Sequence, residues 1–352
     1  MNSKISFLRQ RLEDRGIDGM IISNAVNIKY LTNVDIEGLL LISPMENIFL
    51  TSARFYEHVS NILKIEDGIT IMEIEKTSKA ELENIFAYSN NIGIEEASIT
   101  YKEYINYKQI FTKELVETDD IIEEMRAVKD EDELKYIEYI SKILTDVYER
   151  SVLKIRKGMT EKQIALDITR MLAQSGLDGV PEPVRVQSGA NSINIFYLPT
   201  NRKLKSGDTV IISLTGTYKG YNAEMARTLF IDNVDDEIKE EYNKLLKLHD
   251  SLLMNIKNRA DIYQITKEYS KELENINWDI KYYLAHGIGL EQNEEPSFVL
   301  NTNKKIKQNM AIVIEPGIYK RGYGLKIADT IMITEASIKI YTKADREIKI
   351  IN

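Results

Sequence analysis

The sequence predicts an α+β protein in two parts, a small α/β layer followed by a larger antiparallel sheet backed by helices. Three observations carry this reading. Strand-like and helix-like runs alternate at short spacing from Ser3 to about residue 119, a long charged helical stretch follows, and the remainder is rich in β-type runs interrupted by two helical segments. A length of 352 residues exceeds what one ordinary core needs, which fits domains at 1–125 and 126–352.

The first element, in "MNSKISFLRQRLEDRG", mixes polar and apolar residues as a surface helix does and lacks the apolar core of a signal peptide. The apolar runs "GMIIS", "GLLLIS" and "NIFLTS" read as strands, "RFYEHVSNIL" as a helix and "ITIMEIE" as a further strand. Between Asp120 and Lys154 the chain is helical, but "KDEDE" breaks it and starts a second helix with acids at its positive end. Thr160 is placed as an N-cap with Glu161 in the first turn, and Gly176 as the stop. From "PVRVQSG" to "SIKIYT" the runs are β-rich, with helices expected at about 234 to 258 and 261 to 276.

Composition excludes several classes. Apolar residues make up 43% and charged residues 29%, so the chain should fold. A net charge of −9, with Lys and Arg interspersed among acids, argues against nucleic acid as a partner. No apolar run approaches the ~20 residues of a membrane span. The chain has no cysteine, which removes disulfides, thiolate nucleophiles and Cys-bound metals and fits a cytoplasmic location.

Three stretches in the second part carry the chemistry: "SGANSINIFYLPTNRKLKSGDTVIISLTGTYKGYNAEMARTLF", "AHGIGLEQNEEPS" and "IVIEPGIYKRGYGLKIADTIMIT". In this order and spacing they resemble the creatinase, aminopeptidase P and prolidase superfamily of pita-bread metallopeptidases. The resemblance extends upstream through "MRAVKDEDELKYI" and "KGMTEKQI", and "LTSARFYEHV" is similar to the creatinase-type N-terminal domain. It implies a pita-bread second domain, a homodimer, and two divalent metals on two Asp, one His and two Glu. Hard oxygens with one imidazole suit Mn, Co, Fe or Zn, and paired cations activate a bridging water.

Matched residue by residue, those five positions are Ser213, Glu224, His286, Glu315 and Ala328. Two ligands are thus lost and a third is lengthened, so the resemblance implies no ordinary dinuclear site. Glu224, His286 and Glu315 remain as candidates for a single ion. Two accessory histidines of the peptidases fall on Phe196 and Asn293. Phe196 cannot carry a proton, so the metal-free creatinase mechanism would need another acid or base, with Glu224, Tyr221, Glu294 and His286 as candidates. Phe196, Tyr221, Asn293, Lys326 and Arg54 are candidate substrate-binding residues, Arg54 from the first domain.

Each sharp reading has a bland counterpart. His286 is a metal ligand, a metal-free catalyst, or an inherited histidine hydrogen-bonded in a polar pocket. Glu224 and Glu315 would repel one another unless a cation joins them or one is protonated; Lys326 and Arg227 are the candidate cations. The acids of "EQNEEP" are either part of the site or a solvated charge run, and Arg54 either reaches a site or only water. Function is left among three classes: a hydrolase of a C–N bond with one metal ion, a metal-free enzyme on a peptide or small amide or guanidino substrate, and an inactive relative that binds a ligand.

Overall fold

The computed structural model describes residues 3–64, 67–118, 120–274, 280–281 and 284–352. The chain divides into two compact units, Met1–Arg126 and Ala127–Asn352.

The first unit contains α1 (Ser3–Asp14), β1 (Met20–Ile22), α2 (Ala25–Thr32), β2 (Leu39–Ile42), β3 (Asn47–Thr51), α3 (Ala53–Ile62), β4 (Thr70–Glu73), α4 (Lys79–Ile85), β5 (Asn91–Ile94), α5 (Tyr101–Ile110) and β6 (Glu114–Glu117), and α6 (Ile121–Ala127) closes it. Its mixed sheet runs β4-β3-β2-β1-β5-β6. Every residue of β1 and β3 is buried, which explains their continuous apolar runs. Capping boxes start α4 at Ser78 and α5 at Thr100, each satisfying backbone donors that a helix start leaves free.

The second unit opens with α7 (Glu131–Val152) and α8 (Glu161–Ala173). The break expected within "KDEDE" falls at Asp130, the N-cap of α7, in a capping box with Glu133. Ile137, Ile140, Leu144 and Val147 are buried along one side of α7, the spacing of a helix face. Thr160 caps α8 with Gln163, and Gly176 has φ 87° just beyond its end.

There follow β7 (Arg185–Ser188), β8 (Thr209–Tyr218), β9 (Tyr221–Ile231), α9 (Asp236–Asn255), α10 (Ile262–Glu274), β10 (Ile280–Lys281), β11 (Ala285–Gly287), β12 (Glu294–Ser297), β13 (Ala311–Ile314), β14 (Gly317–Lys320), β15 (Tyr323–Lys326), β16 (Asp329–Ile333), β17 (Ile338–Ile340) and β18 (Lys349–Ile351). Residues 275–276 of the expected second helix and 282–283 of the expected "YYLAHGIGL" strand lie outside the described residues. The antiparallel expectation holds with two refinements. The strands form three sheets, β18-β9-β8-β7, β12-β11-β13-β16-β17 and β10-β14-β15, and β18 pairs parallel with β9.

The β8–β9 hairpin turns through Lys219 and Gly220, at φ 52° and 81°. This is the double positive-φ turn whose twist suits a two-residue hairpin. Alternate residues of β9 are fastened to the segment 326–330. Thr228 Oγ1 donates to the Lys326 carbonyl and accepts from its N–H, both at 2.9 Å. Ala226 and Ala328 exchange backbone bonds at 3.1 and 3.0 Å. Thr330 Oγ1 donates to the Glu224 carbonyl at 2.7 Å and accepts from its N–H at 3.1 Å. This seam fixes the backbone of two candidate site residues, Glu224 and Lys326.

Candidate functional site

Four side chains converge from different strands: Glu224 from β9, His286 from β11, Glu315 just after β13 and Lys326 from the end of β15. The Lys326 ammonium lies 2.6 Å from Glu315 Oε2 and 3.5 Å from Glu224 Oε1. His286 Nε2 lies 3.3 Å from Glu315 Oε1, so both oxygens of Glu315 face a nitrogen. His286 Nδ1 donates to the Gly287 carbonyl at 3.0 Å. Asn222 Nδ2 holds the following loop through the carbonyls of Gly289 and Leu290, each at 3.0 Å. Lys326 and Glu315 are nearly fully buried.

The electrostatics follow from this packing. Burial alone would raise the Glu315 carboxyl, but Lys326 and then His286 override it and hold it well below the usual range. Burial, reinforced by repulsion from Glu315, raises Glu224, with Lys326 and His286 opposing. Burial lowers His286, yet its bond to Glu315 and the nearby carboxylates prevail and raise it. With its Nδ1 proton committed to Gly287, His286 meets the Glu315 carboxylate favourably only when Nε2 is also protonated. Pairing with a cation is what allows two buried carboxyls to converge.

The cation among them is Lys326 and not Arg227. Glu224 and Ala226 share one face of β9, and Arg227 projects from the other. There it pairs with buried Asp329 at 2.6 Å and donates to the carbonyls of Ala328 and Ala344, each at 2.8 Å. Tyr221 also lies on that opposite face, donating to Glu133 of α7 at 2.7 Å, and does not join the cluster.

Glu294 forms a buried ion pair with Lys129 at 2.5 Å, so its charge is neither solvated nor directed as a free base. Asn293 is exposed. Phe196 is exposed, with the Arg185 guanidinium 5.5 Å from its ring centre. Arg54, in the first unit, is exposed and pairs with Glu37 at 3.3 Å. Ser213, in β8, and Ala328, in an isolated bridge with Ala226 between β15 and β16, are buried.

Several organising residues gave no sequence signal. Glu161, read as a first-turn acid of α8, is fully buried. It accepts from Ser188 Oγ at 2.6 Å, Thr200 Oγ1 at 2.7 Å and Asn191 Nδ2 at 3.1 Å, and so pins the loop that carries Phe196. His249, buried on α9, places Nε2 3.1 Å from Asp329. Both depend on partners far away in sequence.

A model of the creatinase/prolidase N-terminal domain matches residues 4–128, and that of metallopeptidase family M24 matches residues 135–335. The chain belongs to metallopeptidase family M24. Among curated relatives, Xaa-Pro dipeptidases of Pyrococcus horikoshii and Pyrococcus furiosus are 28% and 26% identical, with at least 99% of each chain covered. The solved structure of an Xaa-Pro dipeptidase from Bacillus anthracis is 26% identical and superposes with a TM-score of 0.89 over 99% of both chains. The dipeptidase PepE from Mycobacterium ulcerans, 20% identical with a TM-score of 0.89, shows the same fold.

Members of family M24 use divalent metals, and here the ligand-type atoms of Glu224, His286 and Glu315 lie within 4.8 Å of one another. The chemistry of the remaining matched positions differs from that donor set. Ser213 offers a hydroxyl and Ala328 nothing where carboxylates would be needed. Glu315 pairs with His286 and Lys326, and the Lys326 ammonium also faces Glu224.

Proposed function

We propose that this M24 member binds a short peptide or small amide in a polar pocket whose carboxylates are neutralised by Lys326, and that it lacks the two-metal peptide hydrolysis of its relatives. The observation that carries this reading is the buried ammonium 2.6 Å from Glu315 and 3.5 Å from Glu224. An ion entering there meets an ammonium already paired with two of its three candidate ligands, which lowers the affinity they offer. The peptide class is supported by relatives named Xaa-Pro dipeptidase. The lack of cysteine fits a cytoplasmic location, and the creatinase-type first domain fits a homodimer.

The test is elemental analysis after dialysis against Mn, Co, Fe and Zn, together with thermal denaturation in the presence of Ala-Pro. Well under one ion per chain and a dipeptide-dependent rise in Tm are expected, since ligand bound to the native state stabilises it. One tightly held ion per chain, lost in His286→Ala, would instead establish a mononuclear site.

A second reading, metal-free cleavage of a C–N bond, is favoured by one observation. The Glu224 carboxyl is raised while neighbouring Glu315 is lowered. Two acids shifted in opposite directions suit opposite proton-transfer roles, which would give Glu224 the part of acid toward a leaving nitrogen. Turnover of an Xaa-Pro peptide or amide in metal-stripped protein, abolished in Glu224→Gln, would support this reading, and no turnover by the unsubstituted protein would remove it.

A further inference from the structure

Arg185 opens β7 and is the direct cross-strand partner of Ser213. Ser213 is in turn the partner of Ala226, and Ala226 of Ala328. Directly opposed residues share a sheet face, so Arg185 stands at the end of the row that contains both positions lacking a carboxylate. Its guanidinium is held on two sides. Nη2 pairs with Glu182 Oε2 at 2.5 Å, and Cζ lies 5.5 Å from the centre of the Phe196 ring. Its Nε is buried and has no hydrogen-bond acceptor among the described residues.

Glu182 belongs to the same neighbourhood. Its carbonyl accepts from Thr215 Oγ1 at 3.4 Å, Thr215 is the cross-strand partner of Glu224, and the Glu182 charge acts on Glu224. Two tethered cations therefore flank this face: Lys326, occupied by Glu315 and Glu224, and Arg185, whose planar fork is only partly engaged. A guanidinium with a donor left over, oriented by a carboxylate and an aromatic ring, is suited to a second carboxylate more than to any neutral group.

We propose that Arg185 is a carboxylate-binding residue of this pocket and that the ligand is an acidic short peptide or carboxylate-bearing amide. The proposal rests on the reading of the pocket as a peptide or amide site. Phe196 acts as the ring that fixes the guanidinium plane. The carboxylate comes either from the C-terminus of a dipeptide or from an acidic side chain, and matched probes separate the two.

Calorimetric titration of the whole metal-stripped protein with Ala-Pro against Ala-Pro amide, and with Glu-Pro amide against Gln-Pro amide, makes the test. In at least one pair the charged probe should bind about tenfold or more tightly. Arg185→Gln should bring the two members of that pair together, and Arg185→Lys should keep part of the preference. A circular dichroism spectrum and thermal unfolding profile of Arg185→Gln that match those of the unsubstituted protein show that the variant is folded. Equal binding within both pairs, or a preference that survives Arg185→Gln, overturns the assignment but leaves the pocket reading intact. Failure of all four probes to bind the unsubstituted protein overturns both.

Discussion

Lys326 is the residue on which the polar cluster depends. Its ammonium is buried between Glu315 and Glu224, and removing one partner of a buried charge cluster leaves the others uncompensated. Lys326→Met should therefore destabilise the protein by about 3–5 kcal/mol, read from urea unfolding at neutral pH, and adding Glu315→Gln should recover much of the loss. His286 gives a pH dependence of definite sign. Its folded pKa is raised above 6.5 by Glu315 against the effect of burial, so its contribution is full below about 6.5 and is lost as pH rises through the folded value. His286→Gln should flatten the decline in stability on the alkaline side of pH 6.5; an equally steep decline in the variant would assign it elsewhere. The family resemblance that the sequence motifs carry brought Glu224, His286 and Glu315 together and asked for a cation beside the two carboxylates. It left Lys326 and Arg227 as equal candidates for the cation, because only the strand register shows that Arg227 faces Asp329. Arg185 was not legible, since its significance lies in being opposite Ser213 across a sheet.

At the scale of elements, what can be read locally was read well. A cap is a contact over three residues, so Thr160 and the helix start within "KDEDE" were visible without any structure. The division of the strands into three sheets was not, because pairing joins residues as distant in sequence as Leu229 and Lys349, and neither was the seam of Thr228 against Lys326. That seam leads to an expectation of its own. Thr228→Val keeps the shape of the side chain but strands a buried N–H and carbonyl of Lys326. The cost should be about 1–3 kcal/mol, measured by denaturant unfolding. Because the same bonds set the Lys326 backbone, ligand affinity should weaken as well. A change in stability without any change in affinity would mean that the seam is structural only.

For the molecule as a whole, the two faces of β9 have separate surroundings: one carries the polar cluster and the other anchors the second unit through Arg227, Asp329 and His249. Burial would raise Asp329, but Arg227 and His249 lower it to about 2. A depressed carboxyl contributes stability that is present above its unfolded value and lost as pH falls through its folded one. Acid unfolding between about pH 4 and pH 2 should therefore shift upward when Arg227→Met removes the main partner, as circular dichroism across that range would show.

Keeping the anchor face intact allows the other face to be rebuilt, which tests whether Lys326 or the lack of carboxylates at positions 213 and 328 governs the cluster's affinity for metal. Ser213→Asp, Glu224→Asp and Ala328→Glu together restore the oxygen ligands, yet the tethered ammonium of Lys326 still competes for Glu315 and for position 224. The triple variant should consequently take up Mn poorly, whereas adding Lys326→Met should raise uptake sharply, since an added carboxylate demands a cation and the resident one is gone. The comparison is made by elemental analysis of both variants after identical dialysis. Equal uptake would show that Lys326 is no barrier to metal and that the missing ligands alone account for the altered site.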